Sequence, residues 1–181
     1  MLYYTDANSK RFPKIMGSFQ STISFARPSN TTAYSANNVI GVADAVTPAN
    51  AGSAIHHMLG CGPANAVMTL RSAQLFHDVT AIPATQTTVK LWIFNASPTA
   101  ILDGAASTLV PAADKLAFCC YADLTTVEDV GGVLMNPGYN INKEVKLSSI
   151  GSLYVIIQNV GGFTPASGAN FRLQLNLKPA E

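Results

Sequence analysis

The sequence predicts an all-β fold, a β-sandwich of the jelly-roll kind, and three observations support this prediction. Residues 171–177 (FRLQLNL) alternate strictly between apolar and polar side chains, which is typical of a strand with one face on a core. Residues 153–159 (LYVIIQN) are apolar on both sides, as in a central strand covered on both faces. Short segments of these kinds recur between Gly, Pro and Asn residues, and no stretch shows helical periodicity. Because the sequence does not order the strands, a barrel stays open as the alternative.

The chain is predicted to begin with an extended arm, residues 1–17, followed by one sandwich domain over 18–181. The arm carries three basic residues, Lys10, Arg11 and Lys14, and no sustained periodicity. Three charges would give only a weak and salt-sensitive contact with nucleic acid. Two interpretations stay open: a frayed terminus, or an arm that becomes ordered on a partner.

The first half of the domain contains four strand candidates, 18–27, 38–46, 53–59 and 66–76, each ended by turn-forming residues. In the longest candidate the apolar parity slips near Ser72. Because a strand keeps its side-chain period of two unless a residue is inserted, this slip predicts a β-bulge.

The second half opens with a strand at 89–94, where Trp92 and Phe94 share one face and the opposite face is also apolar. We therefore expect little water on either side of this strand. Residues 95–115 are predicted to form a loop. The remaining strand candidates are 116–121, 144–147, 153–159 and 171–177.

The composition is unusually poor in charge. Charged residues make up 12% of the chain, against roughly 25% in typical soluble domains. The net charge is +1, so bulk charge indicates no nucleic-acid partner. Because the cores of protein interfaces are depleted in charge, we infer that partner subunits cover much of the surface. The alternative is a stable monomer with a neutral polar coat.

The three cysteines predict no disulfide framework. Cys119 and Cys120 are adjacent in a predicted strand, so their side chains point to opposite faces. This suits assembly in a reducing cytoplasm. No window approaches the roughly 18 consecutive apolar residues of a membrane span, and the N-terminus lacks the apolar core of a secretion signal.

The sequence offers no convincing catalytic, cofactor or metal site. It lacks the Gly-x-Ser-x-Gly elbow of serine hydrolases and a glycine-rich phosphate loop before a helix. His56, His57, Cys61 and His77 are the best metal candidates, but adjacent histidines on a strand face opposite ways. We therefore expect one packed and one exposed histidine.

Five carboxylates lie between residues 103 and 129 and match no calcium loop, so we interpret them as solvated loop charge. These residues are Asp103, Asp114, Asp123, Glu128 and Asp129. The six tyrosines look too scattered for a sugar-binding platform, and Trp92 is expected in the core or under a neighbouring subunit.

Two stretches resemble a group of tailed-bacteriophage virion proteins. Residues 25–41 (FARPSNTTAYSANNVIG) are similar to an Arg-Pro-x-x-Thr-Thr-x-Tyr-x-x-x-Asp-x-Ile pattern, although Asn38 stands where that pattern has Asp. The second stretch, residues 163–168 (FTPASG), leads into the final alternating strand. Such proteins are jelly-roll head-decoration, or cement, proteins that bind the outside of the phage capsid as dimers or trimers.

The resemblance implies a structural virion protein that reinforces contacts between capsomers and is not an enzyme. Its expected partners are the major capsid protein and further copies of itself, with no membrane and no specific nucleic acid. It would assemble in the host cytoplasm and reside on the capsid exterior. The expected contact residues are Lys10, Arg11, Lys14, Trp92 and Phe94. Two alternatives remain: a tail or receptor-binding module that recognises host glycans, and a hydrolase on the same scaffold.

Overall fold

The computed structural model describes residues 3–5, 11–13, 17–29, 31–42, 54–79, 81–83, 85–106 and 110–180. Within these ranges the chain is almost entirely β, and its two larger antiparallel sheets pack face to face. The predicted all-β sandwich is thus confirmed. The strands are β1 Tyr3–Thr5, β2 Arg11–Pro13, β3 Phe19–Ala26, β4 Val39–Ile40, β5 Ile55–Met58, β6 Val67–His77, β7 Val89–Phe94, β8 Phe118–Leu124, β9 Glu128–Asp129, β10 Leu134–Gly138, β11 Lys143–Lys146, β12 Leu153–Asn159 and β13 Asn170–Pro179.

The larger sheet runs in the order β3-β13-β6-β10-β9. β10 and β11 both pair with the same edge of β6, β10 with its second half and β11 with its first half. The smaller sheet runs β4-β12-β7-β8, and β5 continues the line of β4 along β12. Among the described strands, the chain therefore crosses between the two sheets six times, between β3 and β4, β5 and β6, β6 and β7, β8 and β9, β11 and β12, and β12 and β13. This order is compatible with a jelly roll, which stays a prediction.

The core between the sheets is built from the apolar side of each strand. In β13, Phe171, Leu173, Leu175 and Leu177 are all buried, as their alternation predicted. β12 lies in the middle of its sheet and is buried on both faces. The predictions that β13 has one buried face and that β12 is buried on both faces are therefore confirmed.

The parity slip in β6 is a β-bulge. Asn176 pairs with Ser72, but the next residue, Leu177, pairs with Leu70, so Arg71 is the extra residue. The carbonyl of Arg71 accepts a hydrogen bond from the Ile141 amide, at the gap between β10 and β11. Because one residue is inserted, the apolar side chains of both halves of β6 face the same core.

Between β7 and β8, the described residues 95–106 and 110–117 form a loop with a short 3-10 helix, Ala112–Asp114. Over these residues the loop predicted at 95–115 is confirmed. This covering loop packs over the outer face of the smaller sheet. Ile101, Ala105, Val110 and Ala117 from the loop contact a second apolar cluster that includes buried Phe94. Both faces of β7 are therefore apolar because one meets the other sheet and the other meets the loop.

Three predicted elements differ from the structure. In the segment predicted as an extended arm, the described residues 3–5 and 11–13 form a pair of antiparallel strands, β1 and β2, and among the described residues these two strands pair only with each other. β8 begins at Phe118, two residues after Leu116, whose side chain is 99% exposed. The strand predicted at 38–46 is described only to residue 42, and within that part it covers Val39–Ile40.

Candidate functional site

The two stretches that carry the resemblance lie against each other. Tyr34 and Phe163 form a two-way backbone bridge, with N···O distances of 2.9 and 3.1 Å, and their rings lie 5.2 Å apart. Arg27 donates a hydrogen bond to the Ala166 carbonyl at 3.4 Å. Arg27, Tyr34 and Phe163 are thus buried structural partners that join the ends of β3 and β13.

Asp103 completes this junction from the covering loop. Its carboxylate accepts hydrogen bonds from the Tyr34 hydroxyl at 2.5 Å and from the Gly41 amide at 2.7 Å. Arg27 donates to the same hydroxyl at 3.3 Å. Burial raises the pKa of Tyr34 far above its usual value, and Asp103 raises it further. The phenol therefore stays protonated and ties the loop to the sandwich.

The interpretation of Asp103 and Asp114 as solvated charge is wrong. Asp114 is buried, and one of its oxygens accepts hydrogen bonds from the amide and hydroxyl of Thr99, both at 2.9 Å. Both carboxylates hold the covering loop in place. Sequence could not reveal this, because a loop acid that meets its partner only in the fold has the same local pattern as a solvated one.

The histidines are packing residues. His56 is buried and bonds to the Ile40 carbonyl at 3.0 Å, whereas His57 is half-buried and bonds to the Ser152 hydroxyl at 2.9 Å. The neighbouring histidines face opposite ways as expected, but His57, expected to be exposed, is half-buried because its ring stacks on Tyr154 at 4.3 Å. Across the described ranges, no three His, Cys, Asp or Glu side chains are grouped closely enough to hold a metal ion.

Two of the predicted contact residues lie outside the described residues, namely Lys10 and Lys14. Arg11 belongs to β2, and only its backbone is described. Phe94 is 1% exposed because the covering loop buries it, so it is a core residue of this chain and not a surface contact. Trp92 is half-buried at the rim of the same cluster.

Trp92 anchors an aromatic patch that sequence reasoning missed. Its ring lies 5.9 Å from both Phe118 and Tyr121, and its indole N–H donates to the Gln158 side chain at 3.0 Å. Tyr121 is directly opposite Trp92 in the β7–β8 pairing and is 42% exposed. The sequence does place each of these two residues on the outward side of its own strand. Only the strand order shows that the two strands are adjacent and that the residues are neighbours.

Two lysines flank the aromatic patch. The Lys143 ammonium lies 4.0 Å from the centre of the Tyr121 ring and donates to the Tyr121 carbonyl. The Lys90 ammonium lies 4.7 Å from the same ring and 3.5 Å from the Asp123 carboxylate. The patch can therefore offer both ring surface and hydrogen-bond donors to a ligand.

The outer face of the larger sheet is different in character. Where β3, β13 and β6 lie side by side it presents three rows of side chains, which we call the amide face; Lys178 of β13, opposite Thr69, lies on the same side beyond these rows. The rows are Gln20, Asn176 and Ser72; Thr22, Gln174 and Gln74; and Ser24, Arg172 and Phe76. Arg172 is the single charged residue among them, and its guanidinium lies 4.3 Å from the centre of the Phe76 ring.

Side-chain hydrogen bonds connect the rows of the amide face across the strands. Gln20 donates to Asn176 at 3.2 Å, and Asn176 donates in turn to Ser72 at 3.0 Å. Gln174 donates to Gln74 at 3.0 Å. A shallow groove of about 280 Å³ lies beside Arg172 at one end of the face. The face is therefore polar and largely uncharged, with its amides already paired.

The chain matches no protein-family model and no curated protein. Among the described residues, no helix is long and apolar enough to cross a membrane.

Proposed function

We propose that this chain is a structural protein of a phage virion, which binds the outside of the capsid and reinforces contacts between capsomers. The observation that carries the proposal is the amide face, where one side chain in nine is charged. The resemblance of residues 25–41 and 163–168 to phage head-decoration proteins supplies the class of partner.

The amide face suits docking on another protein for an energetic reason. Burying an unpaired charge in an interface is expensive, whereas an amide that keeps its hydrogen bond loses little on burial. The cross-strand bonds of Gln174 and Asn176 survive docking, because both partners of each bond belong to the same face. A stiff sheet also loses little conformational entropy on binding.

Such a protein would work by adding buried area across the seams between capsomers. Internal DNA pressure must then break these additional contacts before capsomers separate. This role needs no catalytic residue and no cofactor. The expected partners are the major capsid protein and further copies of this chain, in a virion assembled in the host cytoplasm.

The proposal is tested by stripping purified virions stepwise with denaturant and recording when this chain is released. We expect release from the head exterior before the shell itself dissociates. Purified chain should then rebind to the stripped heads. Recovery of the chain with isolated tails, or its absence from virions, would refute the proposal.

A pair of charge variants tests the surface. Gln174→Arg places a charge at the centre of the amide face and should weaken rebinding at least tenfold, which is about 1.4 kcal/mol. Ala112→Arg adds the same charge to an exposed site on the covering loop of the other sheet and should rebind normally. Equal rebinding by both variants would show that the amide face does not contact the capsid.

A second candidate function is recognition of host glycans by a tail or receptor-binding module. The aromatic patch favours it, because partly exposed Tyr121 and Trp92 rings beside lysine donors suit the apolar face and hydroxyls of a sugar. Soluble host polysaccharide should then raise the melting temperature, and Tyr121→Ala should abolish that rise. A decoration protein would show neither effect.

A further inference from the structure

Strand β3 forms one edge of the larger sheet. It pairs with β13 along its whole length, from Phe19 opposite Leu177 to Ala26 opposite Asn170. On its other side, no strand of the described ranges pairs with it. An open edge of this kind presents a row of backbone N–H and C=O groups that another strand can bind.

The open edge of β3 carries none of the usual protecting features. Natural edge strands are commonly short, bulged, or interrupted by Lys or Pro, because these devices prevent pairing with other chains. β3 has eight residues, FQSTISFA, without a charge or a proline. Its register with β13 has no shift, so no bulge twists the edge away.

We propose that β3 pairs antiparallel with β3 of a second copy of this chain around a two-fold axis, which joins the two larger sheets into one. A second copy fits because the strand is complementary to itself. When a strand pairs antiparallel with its own copy, equivalent residues of the two copies lie near each other around the axis. Such pairing is unfavourable wherever these residues are charged, because the two charges have the same sign. β3 has no charge, so that penalty is absent.

The faces of the sheet restrict the register to axes centred on a residue, because an axis between two residues would pair inward with outward side chains. The inward residues of β3, including Phe19 and Phe25, must continue the inner layer, and the outward residues must continue the amide face. A two-fold axis at Thr22 meets this condition and keeps residues 19–25 within the pair. Phe19 then lies opposite the partner's Phe25, and Thr22 lies opposite the partner's Thr22. Aromatic and threonine pairs both stabilise antiparallel strands.

An axis at the next inward residue, Ile23, is less favourable. It would set Phe19 opposite the partner's Arg27. The Arg27 side chain is buried in its own subunit, where it bonds to Tyr34 and the Ala166 carbonyl. The axis at Thr22 also extends the amide face without interruption into the second copy. The inference rests on the edge of β3 and holds whether or not the chain decorates a capsid.

Disulfide trapping of the purified chain tests both the pairing and its register. In a Cys119→Ser, Cys120→Ser background, Thr22→Cys should form a covalent dimer under mild oxidation. Residues paired at the axis lie about 4.5–5.5 Å apart between Cα atoms, within reach of a disulfide. Cys61 is buried and can stay.

Two further variants on the same strand provide the matched control. Gln20→Cys and Ser24→Cys should not crosslink alone, because in each variant the cysteines of the two copies are about four residues, or ~13 Å, apart along the paired strands. Mixed together they should crosslink as a heterodimer, since residue 20 lies opposite the partner's residue 24. Self-crosslinking of Gln20→Cys or Ser24→Cys with none for Thr22→Cys would overturn the register.

Sedimentation measures the same association without a crosslink. The unmodified chain should be a dimer, and Thr22→Lys should weaken dimerisation at least tenfold, because it places two ammonium groups opposite each other at the axis. Ser24→Lys, opposite the partner's Gln20, should have a smaller effect. Circular dichroism should be unchanged in both variants. A monomeric unmodified chain, or equal dimerisation of both lysine variants, would refute the pairing.

Discussion

Lowering the pH from about 7.5 to about 5 should destabilise this protein by about 4 kcal/mol through two buried histidines. His56 and His77 are 2% and 1% exposed and lie at opposite ends of a column of four rings. His56 packs on Phe25 at 4.1 Å, Phe25 on Phe171 at 5.5 Å, and Phe171 on His77 at 4.3 Å between ring centres. The column crosses the core where β3, β13 and β6 adjoin.

Burial is the cause of the pH dependence. It lowers the pKa of His56 to about 4, against a smaller opposing effect of the hydrogen bond to the Ile40 carbonyl. It also lowers the pKa of His77 to about 4, opposed by the neighbouring Gln86 and Asp78 side chains. Within the described structure, neither ring nitrogen of His77 has a hydrogen-bond partner of normal geometry.

The sign and size follow from proton linkage. In the unfolded chain each histidine takes up a proton as the pH falls below about 6.5, whereas in the folded chain it stays neutral until about pH 4. Each therefore contributes stability that is fully present above about pH 6.5 and is lost as the pH falls toward 4. At about pH 5 the pH lies roughly 1.5 units below the pKa of the unfolded histidine. Since each unit is worth about 1.4 kcal/mol, each histidine lowers the free energy of unfolding by about 2 kcal/mol.

The assay is urea unfolding at a series of pH values, with the free energy of unfolding plotted against pH. His77→Phe keeps the ring stacked on Phe171 and removes one titrating group, so about half of the acid loss should disappear. At neutral pH this variant should be at least as stable as the parent, because it removes unpaired buried nitrogens. Gln86→Leu changes the same buried cluster without removing a titrating group and should keep the full acid loss.

The reasoning would be refuted by one clear result. If the His77→Phe variant loses as much stability between about pH 7.5 and 5 as the parent does, His77 titrates in the folded protein and is not buried as described. His56→Gln gives an independent measure of the other end of the column, and it should also remove about half of the loss.

Three further predictions concern the covering loop and the turns. Tyr34→Phe should cost about 1–3 kcal/mol in urea unfolding, because it leaves the half-buried Asp103 carboxylate and the buried Arg27 guanidinium without the hydroxyl that joins them. Gly151→Ala should cost about 3 kcal/mol or more in thermal unfolding, whereas Gly104→Ala should cost only about 1–2 kcal/mol. Both glycines have φ near +70°, which is strained for alanine, but only at Gly151 would the new Cβ also collide with a backbone carbonyl. Asp114→Ala should cost about 2 kcal/mol by unpairing Thr99, and it should speed proteolysis within the covering loop; unchanged cleavage would contradict the loop-holding role.

Much of the fold could be predicted from local patterns. The alternation in residues 171–177, the two apolar sides of 153–159 and the parity slip at Ser72 all appear in the structure as predicted. Each of these signals depends on neighbouring residues along one strand, so a single sequence carries it in full. The bounds of β8 and the pairing of β1 with β2 were predicted less well, because weak or interrupted periodicity gives little local signal.

The candidate surfaces were harder to predict. Phe94 was expected at a partner contact, but the covering loop buries it. Asp103 was expected in water, but it accepts a hydrogen bond from Tyr34 across 69 residues of sequence. Tyr121 was set aside as scattered, yet it lies beside Trp92. All three depend on contacts between distant parts of the chain.

The sequence by itself thus determined that this chain is a charge-poor β-sandwich, because side-chain parity and composition are properties of short stretches and of the whole chain. Only the tertiary structure decided which outward rows become the amide face and the aromatic patch, and that β3 is left at an edge. The physical reason is that strand order is set by long-range pairing and core packing. Those interactions are shared by many segments at once, and no single segment encodes them.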